Sequence, residues 1–429
     1  MRKFCLYICV FSLSIPSFAY AGDVETLTLP ACIRMALSSN PDISSARAGQ
    51  DASVLDLSAA RKDLFPSLSA GYSYSRQSAD NVMRLPEDYY AYSFTLSQPL
   101  YKGNSLVTAV ERNRLALEGA GLLVAKARND VVFSVHEAYY ALLRSQKLSD
   151  EARQQVERLE SHLADAKNFY EAGLIPKNDL LASQVELARG KQDVVKTRKL
   201  SQGAAARLNV LLNRPVDNPL FLMDQPDFEI APLDWSAVLD DAISSRPELR
   251  LAALETEQAG KDIILARSRF LPEVTLSASY EKHGDNPGAT SYPLGPTEEK
   301  TALAVAEWKL WSWGQSFDKV DAARARQRQA EGRARKTSDA VTIEVRQAFL
   351  NTEEAAANIE VAKAAVEHAE ENYRINRERY QAQIATNSEV LDALSLLSRA
   401  RLDHYNAVYD YSLALANLRW ASGTLYSQN

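Results

Sequence analysis

Side chains able to do chemistry are thinly spread along this 429-residue chain. The five histidines do not cluster in the sequence; they occupy positions 136, 162, 283, 368 and 404. His136-Glu137 begins like the helix of a zinc protease, but Tyr140 stands where that motif needs its second histidine ligand. There is no G-x-S-x-G element, no Cys–His pairing, and neither a Walker loop nor G-x-G-x-x-G. We therefore expect no catalytic residue, no metal site and no cofactor.

Two carboxylates have a spacing that places them side by side. Glu389 and Asp392 are three residues apart at the start of a predicted helix, and so lie on one face of it. Acidic side chains also favour the first turn of a helix because of its dipole, and this explains Asp179 equally well. Spacing alone leaves open whether the pair has a functional role or only stabilises the helix start.

The turns before these helices are small and apolar. They read Ala172-Gly173-Leu174 and Ala382-Gln383-Ile384. A lone soluble protein would favour polar residues at such distal turns. The simplest role for Gly173 is to end a helix in the left-handed conformation.

Long helices must position these turns. No proline occurs from about 104 to 169 or from 314 to 429. Apolar residues recur at alternating spacings of four and three between 117 and 170, and the same register returns 210 residues later. At 1.5 Å per residue, such a segment forms a helix of roughly 100 Å. Each is followed by a short turn and a returning helix, so the sequence predicts long hairpins at about 104–213 and 314–423.

Between the helices the hydrophobic period changes from 3.6 to 2. The alternation predicts strands at about 66–78, 90–101, 272–283 and 301–311. In the first of them Tyr72 and Tyr74 alternate with Gly71 and Ser73, whereas the faces of the fourth strand are not assigned. Alternating apolar and hydroxyl residues suit a half-buried sheet of a soluble protein. They also suit a barrel strand with lipid on one side and water on the other.

The chain repeats its plan. Residues 40–43 match 246–249, and residues 170–174 match 380–384, at offsets of 206 and 210. These matches predict a first structural repeat at 22–213 and a second at 233–423, followed by a short tail at 424–429. The segment 214–232 between them contains four prolines and is predicted to be an extended linker.

The N-terminus has the three parts of a secretion signal at 1–21. Arg2 and Lys3 precede an apolar run, and Ala19-Tyr20-Ala21 forms the cleavage site. We expect a mature chain that begins at Gly22 and carries no lipid, because two acidic residues separate Cys32 from the apolar run. Loss of Arg2 and Lys3 changes the formal net charge from −6 to −8. With no basic face concentrated anywhere, nucleic acid is not an expected partner.

No uninterrupted apolar stretch of ~20 residues follows the signal, so a membrane-spanning form would have to use strands. Four strands cannot close into a barrel, since the smallest membrane barrels have about eight. Helices of roughly 100 Å do not fit a single-core globule either. Several chains are therefore expected to contribute strands to one barrel and hairpins to one bundle.

Five segments in a fixed order carry a family resemblance. They are the opening at 27–41, the strand entry Phe65-Pro66-Ser67-Leu68, the strand exit Ser97-Gln98-Pro99-Leu100-Tyr101, the turn region 170–181 and its counterpart 380–392. In this order the sequence resembles the TolC-like family of outer-membrane efflux proteins over nearly the whole mature chain.

The resemblance implies a mainly α chain with a small β part. It implies a homotrimer, in which four strands per chain form a twelve-stranded barrel in outer-membrane lipid, continuous with a periplasmic tunnel of twelve helices. Such a protein is the passive exit duct of a tripartite efflux or type I secretion system of a Gram-negative bacterium. It is not an enzyme. Its partners are a periplasmic adaptor protein and an inner-membrane transporter, and drugs, metal ions and polypeptides all fit as cargo.

The resemblance also implies site residues. The turns at 172–174 and 382–384 correspond to tips that meet the adaptor, although Gln383 replaces the glycine usual in the family and weakens that expectation for the second tip. Glu389 and Asp392 correspond to acidic rings at the periplasmic constriction. The alternative is a periplasmic coiled-coil scaffold or adaptor without a barrel, which would have one hairpin and no aromatic strand pairs. A secreted enzyme is a more distant alternative.

Overall fold

The computed structural model describes residues 26–76, 87–224, 232–292 and 297–426. Several predicted features lie outside the described residues. They are the secretion signal at 1–21, the end of the first strand at 77–78, part of the linker at 225–231 and the last residues of the tail at 427–429.

The first half begins with two short helices that lead into a strand pair and a long hairpin. Its elements are β1 (Thr26–Leu27), α1 (Leu29–Ser39), α2 (Pro41–Lys62), β2 (Ser67–Arg76), β3 (Asp88–Lys102), α3 (Ser105–Glu171) and α4 (Lys177–Leu211). Asn40 separates the first two helices because Pro41 cannot continue α1. The Asn40 side chain then caps α2 by accepting a hydrogen bond of 2.8 Å from the Asp42 N–H.

The second half repeats this order. Its elements are β4 (Phe221–Leu222), α5 (Trp235–Ser245), α6 (Pro247–Arg267), a 3₁₀ turn (Ser268–Phe270), β5 (Glu273–Gly284), β6 (Glu298–Glu307), α7 (Gln315–Gln381) and α8 (Asn387–Ala421). The long helices α3 and α7 both have 67 residues, and α4 and α8 both have 35. Equal lengths bring the two hairpins to the same level. The expectation of a mainly helical chain with a small β part is confirmed.

The four longer strands form one antiparallel sheet in the order β2-β3-β5-β6. Directly paired residues share a face, so the register gathers the aromatic residues of β2 and β3 on one side, with Tyr72 opposite Tyr92. The register also assigns the fourth strand, because Ala304 lies opposite Leu276 and therefore on the apolar side. Across β2, β3 and β5 one face is mainly apolar and the other is rich in hydroxyl groups, whereas β6 places Leu303 opposite Ser277 and Lys300 opposite Tyr280.

The fourth strand differs from its expected bounds of 301–311. β6 begins three residues earlier and ends at Glu307, opposite Glu273 at the start of β5. Pro272 precedes β5, so residues 308–311 have no strand partner in this sheet. The length of β6 is set by its partner rather than by its own pattern.

The helices pack around α3. It contacts α4, α2, α6 and α8, whereas α7 packs on α8, α6 and α5. The main core of the first half joins α1 to α3 and contains the fully buried Cys32 and Val135. Burial raises the pKa of the Cys32 thiol to about 11. None of the described helices combines the length and apolar character needed to cross a membrane.

Part of the expected linker is tied to the first half. β4 pairs in parallel with β1. The Asn209 side chain donates hydrogen bonds to the carbonyls of Val216 and Asn218 at 3.1 and 2.8 Å, and the Tyr139 hydroxyl donates to the carbonyl of Met223 at 2.6 Å. The described part of this segment is therefore held against the helices over much of its course.

Candidate functional site at the hairpin tips

The two hairpins end side by side. The Phe169 ring of α3 meets the Tyr380 ring of α7 at a centroid distance of 5.3 Å. Leu159, Val390 and Leu394 belong to the same buried cluster. Both turns therefore lie at one end of the molecule, where the sequence analysis places its candidate residues.

The two turns have the same backbone geometry. Gly173 has φ +75° and Gln383 has φ +62°, so both are in the left-handed region. The Leu174 N–H donates to the Phe169 carbonyl, and the Ile384 N–H donates to the Arg379 carbonyl, both at 2.8 Å. All six turn residues are exposed, including 54% of Leu174 and 69% of Ile384.

Glu389 has a local structural role. With Thr386 it forms a capping box: Oε2 of Glu389 accepts from the Thr386 N–H at 2.6 Å, and the Thr386 hydroxyl accepts from the Glu389 N–H at 3.3 Å. The Thr386 N–H, which stabilises the charged form, lowers the pKa of Glu389. The T-x-x-E spacing of this box is visible in the sequence and could have been predicted.

Asp392 lies one turn further along the same face and is exposed. It forms no hydrogen bond or ion pair with any other residue that the structure describes. Of the two carboxylates, Glu389 is used by its own helix, whereas Asp392 is unpaired among the described residues.

A buried polar network joins the two tips, and the sequence analysis missed it. Asn387 Oδ1 accepts from Nε2 of His162 at 2.7 Å and from the Ser183 hydroxyl at 2.9 Å. Its amide nitrogen donates to the Asp179 carbonyl at 3.1 Å. These bonds connect α3, α4 and α8, and His162, Ser183 and Asn387 are all buried. No local signal marks them, because His162 and Asn387 are 225 residues apart.

The groups in this network are held uncharged. Burial lowers the pKa of His162, although its bond to Asn387 partly opposes the shift. Tyr380 lies beside it with a ring centroid distance of 5.0 Å, and burial together with Asp179 and Asp165 raises its pKa to about 12. Among the described residues, the buried Tyr380 hydroxyl has no hydrogen-bond partner.

A second polar cluster lies higher in the hairpins and was also missed. Glu151 of α3 is 2% exposed and is paired with Arg158 of α3 and Arg401 of α8. Arg401 also binds Glu370 of α7 at 2.7 Å. A buried carboxylate requires such partners, since an unpaired charge would be strongly destabilising. Within the described ranges, no three His, Cys, Asp or Glu side chains are grouped to hold a metal ion.

Known proteins show the same architecture. A family model described as outer membrane efflux protein matches residues 32–214 and 238–424, one match in each half of the chain. The chain is 24% identical to the outer membrane protein TolC of Vibrio cholerae over 400 residues, 92% of this chain and 90% of that protein. It is also 24% identical to the alkaline protease secretion protein AprF of Pseudomonas aeruginosa over 422 residues, 94% and 86% of the two chains.

A solved structure extends the likeness to the fold. The Campylobacter jejuni CmeC outer membrane channel superposes with a TM-score of 0.80 at 15% identity, covering 100% of this chain and 95% of that one. The family match covers most of the chain, in both of its halves. This chain belongs to the outer membrane efflux protein family.

Proposed function

We propose that three copies of this chain form one continuous channel, with a twelve-stranded barrel in outer-membrane lipid above a tunnel of twelve helices. The general function is supported by membership of the family. The chain is an exit duct of a tripartite efflux or type I secretion system, located in the outer membrane and extending into the periplasm, and it is not an enzyme.

The observation that carries the trimer is the four-stranded sheet with two open edges. β2 and β6 are the edge strands, and every residue in both is exposed. Each open edge leaves a row of unpaired N–H and C=O groups, which is too costly to persist in lipid. Pairing β2 of one copy with β6 of the next removes both edges, and three copies supply twelve strands.

The tips are proposed to bind the periplasmic adaptor, through which the channel joins an inner-membrane transporter. Support comes from Leu174 and Ile384, apolar side chains that protrude into solvent at the far end of the hairpins. Exposed apolar residues at a turn suit a protein contact better than water. The flanking Ala172, Gly173, Ala382 and Gln383 are small or flexible enough to allow close approach.

Glu389 and Asp392 are proposed to line the periplasmic aperture. Both are exposed at the tip level and on one helix face, so a trimer would gather six carboxylates. The lowered pKa of Glu389 keeps it ionised at neutral pH. A ring of this charge attracts cations and binds polyvalent ones, with a strength that falls with salt because the Debye length is only ~10 Å at 0.1 M.

Mass measurement of the purified protein in detergent and in nanodiscs tests the assembly. We expect a single species with the mass of three chains. A stable monomer or dimer in both environments would contradict the channel.

Single-channel recording tests the aperture. Glu389→Gln with Asp392→Asn removes the charges, while glutamine can still serve the capping box. We expect weaker cation preference and less block by trivalent cations, with assembly unchanged. Asp150→Asn is the matched control, since Asp150 is an exposed acid on α3 about 30 Å from the tip. If the double variant behaves like this control, both residues act only as helix-start acids.

Cysteine crosslinking in cells tests the adaptor contact. Leu174→Cys and Ile384→Cys should crosslink to the adaptor, whereas the exposed Val216→Cys, far from the tips, should not. Cys32 does not interfere because it is fully buried and its thiol has a raised pKa. Equal crosslinking from all three positions would argue against tip docking.

A further inference from the structure

Two charged stretches of the hairpins are only partly paired among the described residues, where Arg189, Lys191, Glu370 and Glu371 form ion pairs. Between residues 189 and 207, α4 carries six basic residues and one acidic residue; between 351 and 371, α7 carries six acidic residues and one basic residue. Lys196, Lys199 and Arg207 on α4, and Glu353, Glu360 and Glu367 on α7, are exposed. None of these six forms a hydrogen bond or ion pair with another described residue.

The two stretches lie on opposite edges of the protomer. The long helices pack mainly in the order α4, α3, α8, α7. The two outer helices therefore each have one side without a long helix of the same chain beside it. In a closed ring of copies, the α4 edge of one protomer faces the α7 edge of the next.

The two stretches also lie at the same height above the tips. Lys199 is 22 residues from the start of α4, and Glu360 is 21 residues from the end of α7. Both ends are at the tips, so the two side chains stand roughly 32 Å above them. Opposite charges therefore face each other across the junction at one level.

Exposed apolar residues lie on the same two helices. On α4, Val195 is 70% exposed and lies five residues from the buried Gly190, and so on the far side from α3. On α7, Val361 is 69% exposed and lies at the rim of the groove between α7 and α8. Val195 is 18 residues from its tip and Val361 is 20, so the two valines are at nearly the same height.

We propose that the hairpins of neighbouring protomers meet along a charge-matched seam, in which the basic edge of α4 binds the acidic edge of α7 of the next copy. Lys199 and Glu360 are the central pair. This proposal rests on the homotrimer proposed above. It adds a reason for the order and height of the helices in the trimer, because a protomer can pair its charges only with a copy placed at the same height.

Charge reversal in the full-length protein tests the seam. Lys199→Glu and Glu360→Lys each place like charges together at all three junctions, so each should raise the protomer concentration at half-dissociation in detergent by ~10-fold at low salt. The double variant restores opposite charges in every junction and should recover most of the loss. Salt should reduce the difference between the single variants and wild type.

Arg399→Glu is the matched control. Arg399 is exposed on α8, which has long helices of the same chain on both sides and therefore does not lie at the junction. Dissociation of this control should stay close to that of wild type. If it dissociates as readily as Lys199→Glu, or if the double variant does not recover, the seam is wrong. If the wild-type protein is never trimeric, the proposed trimer itself is wrong. The experiment therefore distinguishes failure of the seam from failure of the trimer.

Discussion

The two hairpin tips have the same turn but build it from different residues. The first uses Gly173 in the left-handed position, and Pro176 precedes its returning helix without providing a side-chain cap. The second places Gln383 in that position and begins its helix with the capping box of Thr386 and Glu389. The backbone geometry is thus a requirement of the hairpin, and the side chains that meet it are interchangeable.

The tips differ more in what the returning helix does next. Lys177 begins α4 and is exposed, whereas the equivalent residue of α8 is Asn387, which is buried between the hairpins. The second tip is therefore capped by its own helix and also bound to the first hairpin. The first tip takes part in the same network through Ser183 and the Asp179 carbonyl, but its returning helix has no side-chain cap. This contrast makes the second tip the one whose sequence is most constrained by packing.

The largest effect is expected from Asn387→Leu. It removes the amide that pairs with His162, Ser183 and the Asp179 carbonyl, and it leaves the buried His162 nitrogen unpaired, whereas Ser183 and the Asp179 carbonyl keep their bond to each other. We expect a loss of about 2–4 kcal/mol, measured by denaturant unfolding and by hydrogen exchange at the tips. Lys177→Leu, the equivalent change in the first hairpin, should cost under about 0.5 kcal/mol. Equal losses of stability in the two variants would contradict the proposed difference between the two tips.

The next largest effect is a pH dependence of stability, and it compares two residues at equivalent positions of α3 and α7. His136 of α3 corresponds to Arg346 of α7, whose guanidinium lies 4.8 Å from the Trp235 ring centroid. Burial, with Arg419 nearby, lowers the pKa of His136 to about 4. The unfolded chain therefore binds this proton first, so stability is retained above pH 6.5 and falls as the pH decreases toward 4.

The His136 contribution to that loss is up to about 3 kcal/mol. His136→Gln should flatten the acid side of the stability curve relative to wild type, as measured by unfolding at a series of pH values. Arg346→Gln changes charge without adding or removing a group that titrates in this window, and should leave the slope unchanged. Parallel curves for wild type and His136→Gln would contradict the assignment.

A smaller effect is expected at the helix starts. Thr386→Ala removes the hydroxyl half of the capping box and should cost about 1 kcal/mol. Pro176→Ala removes no side-chain cap, because none exists there, and should change stability by less than half of that amount. Thermal unfolding of the two variants gives the comparison directly, and a larger loss for Pro176→Ala would reverse it.

The smallest effect is expected at the turn itself. Gln383→Gly relieves the cost of a left-handed side chain, about 1–2 kcal/mol, but adds freedom to the unfolded chain, about 0.4–1 kcal/mol. The net gain should be about 0.5 kcal/mol. Gly173→Gln should lose a similar amount, and since a Cβ at Gly173 meets no atom within 4 Å, that loss is conformational and not steric. Denaturant midpoints of the two variants should shift in opposite directions.

Much of the fold follows from local patterns. Proline-free 4-3 periodicity indicates α3 and α7 because a coiled-coil stripe is a property of consecutive residues. The left-handed turn at Gly173 follows from glycine alone. The T-x-x-E spacing at Thr386 contains the capping box as well, although only an acid at a helix start was inferred from it. The bounds of β6 could not be obtained this way, because β5 determines where its pairing ends.

The sequence by itself determined the class of the molecule: two repeats, each with a strand pair and a long hairpin, and a family resemblance carried by five short segments. Only the tertiary structure decided which polar residues are buried together. His162, Ser183 and Asn387 come from three helices, and Glu151 meets Arg401 from 250 residues away. The physical reason is that periodicity reports which side of a helix is apolar, whereas a hydrogen bond between helices depends on how distant segments align. The relative height of neighbouring hairpins is therefore set by tertiary packing and cannot be read from any local stretch of sequence.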